Sequence, residues 1–260
     1  MSRFKQRMIR AFDAAAGYDD VATVQQQVAS ALASRIAALA LPERARILEV
    51  GCGTGFVAAA MPSLPRESDW LMTDVSPAMV KRARQRFLGQ SGYRFAVLDA
   101  EHPVFNTREQ PFDLVCSSLA AQWFEDLPKA LEQLFRLLNP GGHLLVSTLA
   151  AGTFAEWRAA HDVLGLTAGT PLYPDRAALE ALRLDGVSPS VEIETFASSY
   201  PSGREFLRTL RTIGAATPRP DHRPLSPRTM QKVLQAFESG GSSVSWEVAF
   251  CSFKRPDALP

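Results

Sequence analysis

The sequence has few cysteines: Cys52, Cys116 and Cys251 are the three among its 260 residues. Their wide spacing excludes a disulfide framework and a Cys-x-x-Cys metal site. Each lies in an apolar or glycine-rich stretch, which favours a buried thiol over a reactive one. An odd number of cysteines is typical of a reducing compartment, so we expect a cytoplasmic protein. Because the cysteine spacing offers no metal site, we expect no bound metal.

The sequence also lacks an excess of charge of one sign and a long apolar run. Twenty-eight basic and 27 acidic side chains leave a net charge of +1, which argues against a dedicated nucleic-acid binder. The longest uncharged stretch, residues 137–155, is interrupted by Asn-Pro-Gly-Gly and is therefore not a membrane span. The first residues have no apolar run of the kind found in secretory signals. We therefore predict that the protein binds no nucleic acid and is not associated with a membrane.

From residue 46 onward, short apolar strands alternate with helices, which is typical of a parallel, doubly wound α/β sheet. Helices are expected before this region at 3–15 and 20–40, with Asp20 as the cap of the second. Asn-Pro-Gly-Gly is expected to end the helix at 126–142. Ser76 is expected to cap the N-terminus of a helix at 76–88. Strands are predicted at 46–50, 70–74, 93–99, 112–118, 143–149, 190–198 and 243–253, and later helices at 153–166, 174–183, 203–216 and 226–239.

The sharpest local pattern is a glycine loop, Gly51-Cys-Gly53-Thr-Gly55, between the first strand and a helix. Glycine is required where the backbone turns with positive φ or where a ligand presses against it. Such a loop at the carboxyl end of a parallel strand is the expected nucleotide crevice of an open α/β sheet. A dinucleotide-binding loop is the weaker alternative, because its third glycine would come one residue later.

Carboxylates follow three consecutive strands at the same sheet edge: Glu49, Asp74 and Asp99. A carboxylate beside the loop suits the cationic ligand S-adenosylmethionine (SAM) and would repel a pyrophosphate. Asp74 is placed to accept the ribose hydroxyls, and Asp99 to accept the adenine amino group. Taken together with the glycine loop, these residues predict a SAM site.

Residues 47–149 resemble the core of class I SAM-dependent methyltransferases, through LEVGCGTG, TDVSPAMVKRAR, LDAE, FDLVCSSLAAQWFEDL and LNPGGHLLVSTL. The resemblance implies a Rossmann-like α/β fold whose seven-stranded sheet is mostly parallel, with an antiparallel last strand. It also implies that Glu49 holds the methionine amino group, that Asp74 binds the ribose, and that Asp99 meets the adenine edge. The implied cofactor-binding set is completed by Gly51, Gly53, Gly55, Val75, Met79, Ala100 and Ser117.

Four further segments, 11–29, 117–131, 147–157 and 207–216, are similar to the malonyl-acyl-carrier-protein O-methyltransferases of early biotin synthesis. The resemblance implies methylation of the free carboxylate of a malonyl thioester. We divide the chain into an N-terminal helical lid (1–42), a SAM-binding core (43–149), a continuation with an inserted helical substrate cap (150–242), and the final core strand (243–260).

The malonyl carboxylate is already ionised at pH 7, so no general base and no catalytic side chain are expected beyond positioning and desolvation. The four scattered histidines, His161 among them, are expected at the surface or in supporting positions. A carboxylate acceptor needs a cationic anchor, for which we favour Arg208 over Arg211; a solvated basic face is the alternative. The other expected substrate-binding residues are Tyr18, Gln122 and Trp123.

Residues 203–232 contain seven Lys/Arg but only two acidic residues, Glu205 and Asp221. An acyl carrier protein is acidic, so this segment is a candidate docking surface for the malonyl-bearing carrier, with malonyl-CoA as the other thioester source. Two alternatives remain open from the sequence. One is a SAM methyltransferase acting on another small acceptor such as a quinone, and the other is a SAM-fold binding protein without turnover.

Overall fold

The structure, a computed structural model, describes residues 2–62, 67–104, 111–219 and 222–258. Seven strands in these ranges form one sheet: β1 Arg46–Val50, β2 Asp69–Asp74, β3 Tyr93–Val97, β4 Phe112–Ser118, β5 Leu138–Leu149, β6 Ser190–Ser199 and β7 Ser243–Lys254. The strand order is β3-β2-β1-β4-β5-β7-β6. The pairings of β1 with β2 and β4, of β2 with β3, and of β4 with β5 are parallel. The predicted mostly parallel α/β sheet is therefore confirmed.

The sheet has its topological switch point between β1 and β4. The chain moves outward from β1 through β2 to β3, and in the opposite direction from β4 to β5. Ligands of open α/β sheets bind at the carboxyl ends of the strands beside such a switch. The glycine loop that follows β1 lies at this point.

The described helices are mostly shorter than the sequence pattern predicted. Ser76 caps α5 as expected, because its Oγ accepts the Met79 N–H at 3.1 Å and Pro77 is the first helical residue. The helices are α1 Arg3–Asp13, α2 Tyr18–Val21, α3 Thr23–Ala37, α4 Phe56–Ala60, α5 Pro77–Arg86, α6 Leu127–Arg136, α7 Ala155–Asp162, α8 Arg176–Glu180, α9 Gly203–Thr212 and α10 Pro227–Ser239.

Two local predictions at helix ends are wrong. Asp20 is not the cap of α3: it lies inside the short helix α2, and α3 begins at Thr23. Asn-Pro-Gly-Gly does not end α6, because α6 ends at Arg136 and these residues belong to the irregular start of β5. The Asn139 amide donates to Asp113 Oδ1 at 2.7 Å, and the Gly141 N–H donates to the Arg255 carbonyl at 3.1 Å. Contacts with distant residues thus hold this segment in the sheet.

The sheet core is formed by strands whose side chains are buried on both faces. Ile47, Leu48 and Val50 of β1 and Leu114 of β4 are almost completely inaccessible. Edge strand β3 is half-buried over most of its length. All three cysteines are buried, as predicted. No described helix has both the length and the hydropathy needed to cross a bilayer.

The chain forms two compact units. The first unit consists of Met1–Val24, Leu149–Asp175 and Glu194–Val248, and the second of Gln25–Thr148, Arg176–Ile193 and Ala249–Pro260. The predicted cofactor residues all belong to the second unit. The boundaries proposed from the sequence for a lid, a core and a cap stay a prediction.

Within the first unit, the segment that precedes α7 is tied to the start of β7. The Gly152 N–H donates to Glu247 Oε2 at 2.8 Å, and a Cβ at position 152 would lie 2.6 Å from Glu247 Oε1. Glu156 accepts hydrogen bonds from the Ser245 N–H at 2.9 Å and from Ser245 Oγ at 2.6 Å. The motif at 147–157 therefore has a structural role in joining α7 to β7.

Candidate functional site

The glycine loop makes a turn that other residues could not make without strain. Gly51, Gly53 and Gly55 have φ values of 66°, 56° and 91°. A Cβ at position 51 would lie 2.3 Å from the Ala120 Cβ, and one at position 55 would lie 2.7 Å from a ring carbon of Phe87. A Cβ at position 53 would meet no atom of the described residues within 4 Å. Two of the glycines are thus required by protein packing, and Gly53 faces open space.

Asp74 fixes the loop from the neighbouring strand. Its Oδ2 accepts the Gly53 N–H at 2.9 Å, and its Oδ1 accepts the Ser76 N–H at 2.8 Å. A carboxylate oxygen can accept more than one hydrogen bond, so these contacts leave the predicted ribose interaction possible. The structure therefore shows a bracing role for Asp74 that the sequence did not predict.

Glu49 is almost fully buried at the carboxyl end of β1. Burial raises the pKa of its carboxyl group to about 8, and the nearby Asp74 charge contributes to the rise, while the hydrogen bond from Trp70 opposes it. The Trp70 Nε1–H donates to Glu49 Oε2 at 3.1 Å. Glu49 is therefore mostly protonated at pH 7 in the ligand-free protein, and a cation bound beside it would favour the ionised form.

The predicted adenine residues surround the ends of β2 and β3. Val75 is half-buried, and Met79 is buried at the start of α5. Asp99 follows the end of β3 by two residues, and its Oδ1 accepts the Glu101 N–H at 3.0 Å. Ala100, between them, is buried. The second unit therefore brings the three acidic strand-end residues and the glycine loop to one edge of the sheet.

The fit of this edge to a ligand can be tested on Ser117, at the end of β4. Its Oγ is fully buried and has no hydrogen-bond partner among the described residues. A buried hydroxyl without a partner is costly and is explained most simply by a ligand or a water molecule. Together with the open space at Gly53, it fits a polar ligand in the crevice between β1 and β4.

Gln122 and Trp123 lie just after β4 in a single 3-10 turn, Ala121–Trp123. The Gln122 amide donates to the Leu119 carbonyl at 2.6 Å, whereas its Oε1 is buried and has no partner among the described residues. Leu119 itself has a φ of 48°, and its N–H donates to the Ser147 carbonyl at 3.1 Å. Leu119 therefore connects β4 to this turn in a strained backbone conformation, and the turn belongs to the same unit as the glycine loop.

The remaining predicted substrate residues, Tyr18, Arg208 and Arg211, belong to the first unit. Tyr18 is half-buried at the start of α2, which packs against α9. Arg208 has a 70% exposed side chain and forms an ion pair with Glu205 at 2.7 Å. Arg211 is also exposed, and it lines two cavities of this unit.

Sequence reasoning missed several side chains that shape these regions. Glu101 is buried, and its Oε1 accepts the N–H groups of Glu125 at 2.7 Å and Asp126 at 3.0 Å. His161 was expected at the surface or in a supporting position, but it is 2% exposed and bonded through Nδ1 to the Trp157 carbonyl. Burial lowers the pKa of His161. The His161 ring packs on Trp157, with 4.9 Å between ring centroids, and the i, i+4 spacing of these two residues within the predicted helix was a signal for this contact.

We expect Gly51→Ala to weaken SAM binding by more than about tenfold, because both the positive φ and the close Ala120 Cβ oppose a side chain there. Calorimetric titration with SAM measures the effect. Gly89→Ala is the matched control: Gly89 has a φ of 81°, but a Cβ there would meet no atom within 4 Å. Equal SAM affinity of Gly51→Ala and wild type would contradict the proposed role of the loop.

Comparison with known proteins agrees with this geometry. Residues 48–144 match a family model described as a methyltransferase domain. The YcgJ protein of Bacillus subtilis superposes with a TM-score of 0.61 at 15% identity, over 87% of this chain and 98% of that one. At this identity the structural likeness supports the fold alone.

Two curated relatives are similar over almost the whole chain. The malonyl-[acyl-carrier protein] O-methyltransferase of Magnetococcus marinus is 40% identical over 252 residues, which cover 96% of this chain and 92% of that protein. The chain belongs to the malonyl-[acyl-carrier protein] O-methyltransferase family. The biotin biosynthesis bifunctional protein BioCD of Bordetella avium is 44% identical over 246 residues, and the chain spans only 51% of its length. The prediction of a methyltransferase of this family is confirmed.

Proposed function

We propose that this methyltransferase transfers the methyl group of SAM to the free carboxylate of a malonyl thioester on acyl carrier protein, forming a methyl ester for biotin synthesis. The observation that carries the proposal is the 40% identity across 92% of a relative named for that reaction. The glycine loop supports it from the structure, as does the Ser117 hydroxyl, which has no partner among the described residues.

The SAM-holding residues are those of the second unit. Glu49 would bind the methionine amino group. Because the raised pKa keeps Glu49 protonated before SAM binds, the positive charge of this amino group would cause the carboxyl group to release its proton. Ser117 would hydrogen-bond the methionine portion, and Gly53 would allow close approach of the ligand. The ribose would meet Asp74, and the adenine would meet Val75, Met79, Asp99 and Ala100.

The reaction does not need side chains that take part in the chemical step. SAM supplies a methyl group activated by a sulfonium, and a malonyl carboxylate is a nucleophile that is already ionised at neutral pH. The protein then has to align the two reactants and exclude water from them. A proton-accepting side chain is not needed for this acceptor.

The residues proposed to bind the acceptor are supported by contacts inside each unit. Gln122 and Trp123 follow β4 closely, and the buried Gln122 Oε1 lacks a partner among the described residues. Tyr18 lies on α2, which packs on α9 within the first unit. Arg208 is paired with Glu205, whereas Arg211 has no ion pair with a described residue, so Arg211 is the better candidate for the cationic anchor of the carboxylate.

The basic segment 203–232 is proposed to attract the acidic carrier protein. The positive residues of α9 and α10 include Arg204, Arg211 and Arg228, all of which are exposed. Asp221, which reduces the charge of the segment in the sequence, lies outside the described residues. Long-range attraction of this kind raises the rate of association and weakens as salt is added.

The function is tested with methyl-labelled SAM and a panel of malonyl carrier protein, malonyl-CoA, free malonate and a quinone precursor. We expect base-labile label on the malonyl thioesters, since a methyl ester is cleaved by hydroxide. Label on the quinone precursor alone would overturn the proposed acceptor. SAM binding without label on any compound would favour a binding protein without turnover.

A further inference from the structure

A groove between α9 and α10 is lined by four arginines. Its volume is about 490 Å³, and Arg204, Arg208 and Arg211 face it from α9, while Arg228 faces it from α10. The spacing of the α9 arginines at i, i+4 and i+7 places them on one side of that helix. Both helices, and all the described residues that line the groove, belong to the first unit.

The groove has more positive charge than the described part of the chain neutralises. Arg208 pairs with Glu205 at 2.7 Å. Arg204, Arg211 and Arg228 form no ion pair with any described residue. Guanidinium groups that converge on one cavity repel each other unless an anion lies between them. Their planar, forked geometry matches the oxygens of a phosphate group.

The floor of the same groove is apolar. Leu207 and Met230 are half-buried, and Leu234 is 7% exposed. A simple inorganic anion would gain nothing from this floor, whereas a phosphate attached to a branched alkyl group would contact both parts. The phosphopantetheine arm has this structure, because its phosphate is separated by one methylene from a carbon that bears two methyl groups.

A second cavity lies beside the groove. This cavity, of about 450 Å³, shares Leu207, Arg211, Pro227 and Met230 with the groove. Its other walls include the aromatic side chains of Trp157 and Tyr173. Three of the shared residues, Leu207, Pro227 and Met230, are apolar, so a pantetheine chain can extend along them beside Arg211.

We propose that the groove between α9 and α10 binds the phosphate of the phosphopantetheine arm that carries the malonyl thioester, with Leu207 and Met230 against the dimethyl group. The proposal rests on the proposed function, since only a thioester substrate of this kind brings such an arm. Under this proposal Arg208 and Arg211 contact the phosphate, which replaces the assignment of Arg211 as the anchor of the malonyl carboxylate. The phosphate and the malonyl carboxylate lie at opposite ends of the arm, so one arginine pair cannot hold both.

The test compares S-malonyl-4′-phosphopantetheine with S-malonyl-pantetheine, which lacks the phosphate. We expect the wild type to have about tenfold or greater kcat/KM for the phosphorylated compound, as charge-assisted hydrogen bonds to phosphate are among the strong ones. The double variant Arg204→Gln, Arg228→Gln should lose this preference. Arg10→Gln is the matched control, because Arg10 is exposed in the same unit, lies outside segment 203–232 and is not among the residues that line either cavity.

Calorimetry with unacylated 4′-phosphopantetheine and pantetheine tests the groove without turnover. Preferential binding of the phosphorylated compound by the wild type, lost in the double variant, is the expected result. Equal binding of both compounds by the wild type would overturn the proposal. So would an unchanged phosphate preference in the double variant, or a defect confined to malonyl carrier protein, which indicates protein docking. A wild type that methylates neither compound counts against the proposed function, and the binding measurements still decide the groove.

Discussion

Glu49→Gln is expected to stabilise the ligand-free protein at pH 8, by on the order of 4 kcal/mol in the free energy of unfolding. The cause is burial, which raises the pKa of Glu49 from its ordinary 4.5 to about 8 in the folded protein. Above pH 4.5 the unfolded chain releases the Glu49 proton, but the folded protein retains it until about pH 8. The wild type therefore loses stability across this window, and a neutral Gln removes the loss.

Urea unfolding at pH 5 and at pH 8 measures this effect. The advantage of Glu49→Gln should be small at pH 5, grow with pH, and level off above pH 8, where Glu49 is ionised in both states. Glu43→Gln is the control, because Glu43 is exposed and should change stability by less than about 0.5 kcal/mol. A Glu49→Gln variant no more stable than wild type at pH 8 would contradict the buried, protonated carboxyl group.

The same substitution separates stability from cofactor binding. We expect Glu49→Gln to bind SAM about tenfold more weakly, because an amide cannot neutralise the methionine ammonium group. Wild-type binding at pH 7 should release a proton from Glu49, which calorimetry in buffers of different ionisation enthalpy detects. Release that persists unchanged in Glu49→Gln would assign the proton to another group.

Asp74→Ala is expected to weaken SAM binding by about 1–3 kcal/mol, through lost charge-assisted hydrogen bonds. The structure adds a second reason. The Asp74 carboxylate accepts the Gly53 N–H at 2.9 Å and the Ser76 N–H at 2.8 Å, so its removal also frees the glycine loop and the start of α5. Calorimetric titration with SAM measures the loss.

Asp69→Ala is the matched control for Asp74→Ala. Asp69 lies at the opposite end of β2 and forms an ion pair with Arg94 at 2.7 Å. Its removal should leave the affinity for SAM unchanged, since the pair is half exposed and distant along the strand from the loop. Equal affinities of Asp74→Ala and Asp69→Ala would contradict the assignment of the site.

Local sequence patterns predicted the sheet well because each strand is a short apolar run between polar turns. Residues 46–50 and 112–118 became β1 and β4 with the predicted bounds. Ser76 followed by Pro77 predicted the start of α5 correctly, because a cap depends on neighbouring residues. The same reasoning predicted Asp20 as the cap of α3, and that prediction is wrong because Asp20 lies inside a separate short helix, α2.

The sequence by itself determined the parallel α/β sheet, the glycine loop, and the edge at which Glu49, Asp74 and Asp99 meet. These features follow from strand periodicity and from chain direction, which are local. Tertiary structure alone decided the protonation of Glu49, the bracing of the loop by Asp74, and the burial of His161. It also decided that arginines of α9 and α10 line one groove. Each of these depends on residues distant in sequence, whose packing determines solvent access and which charges become neighbours.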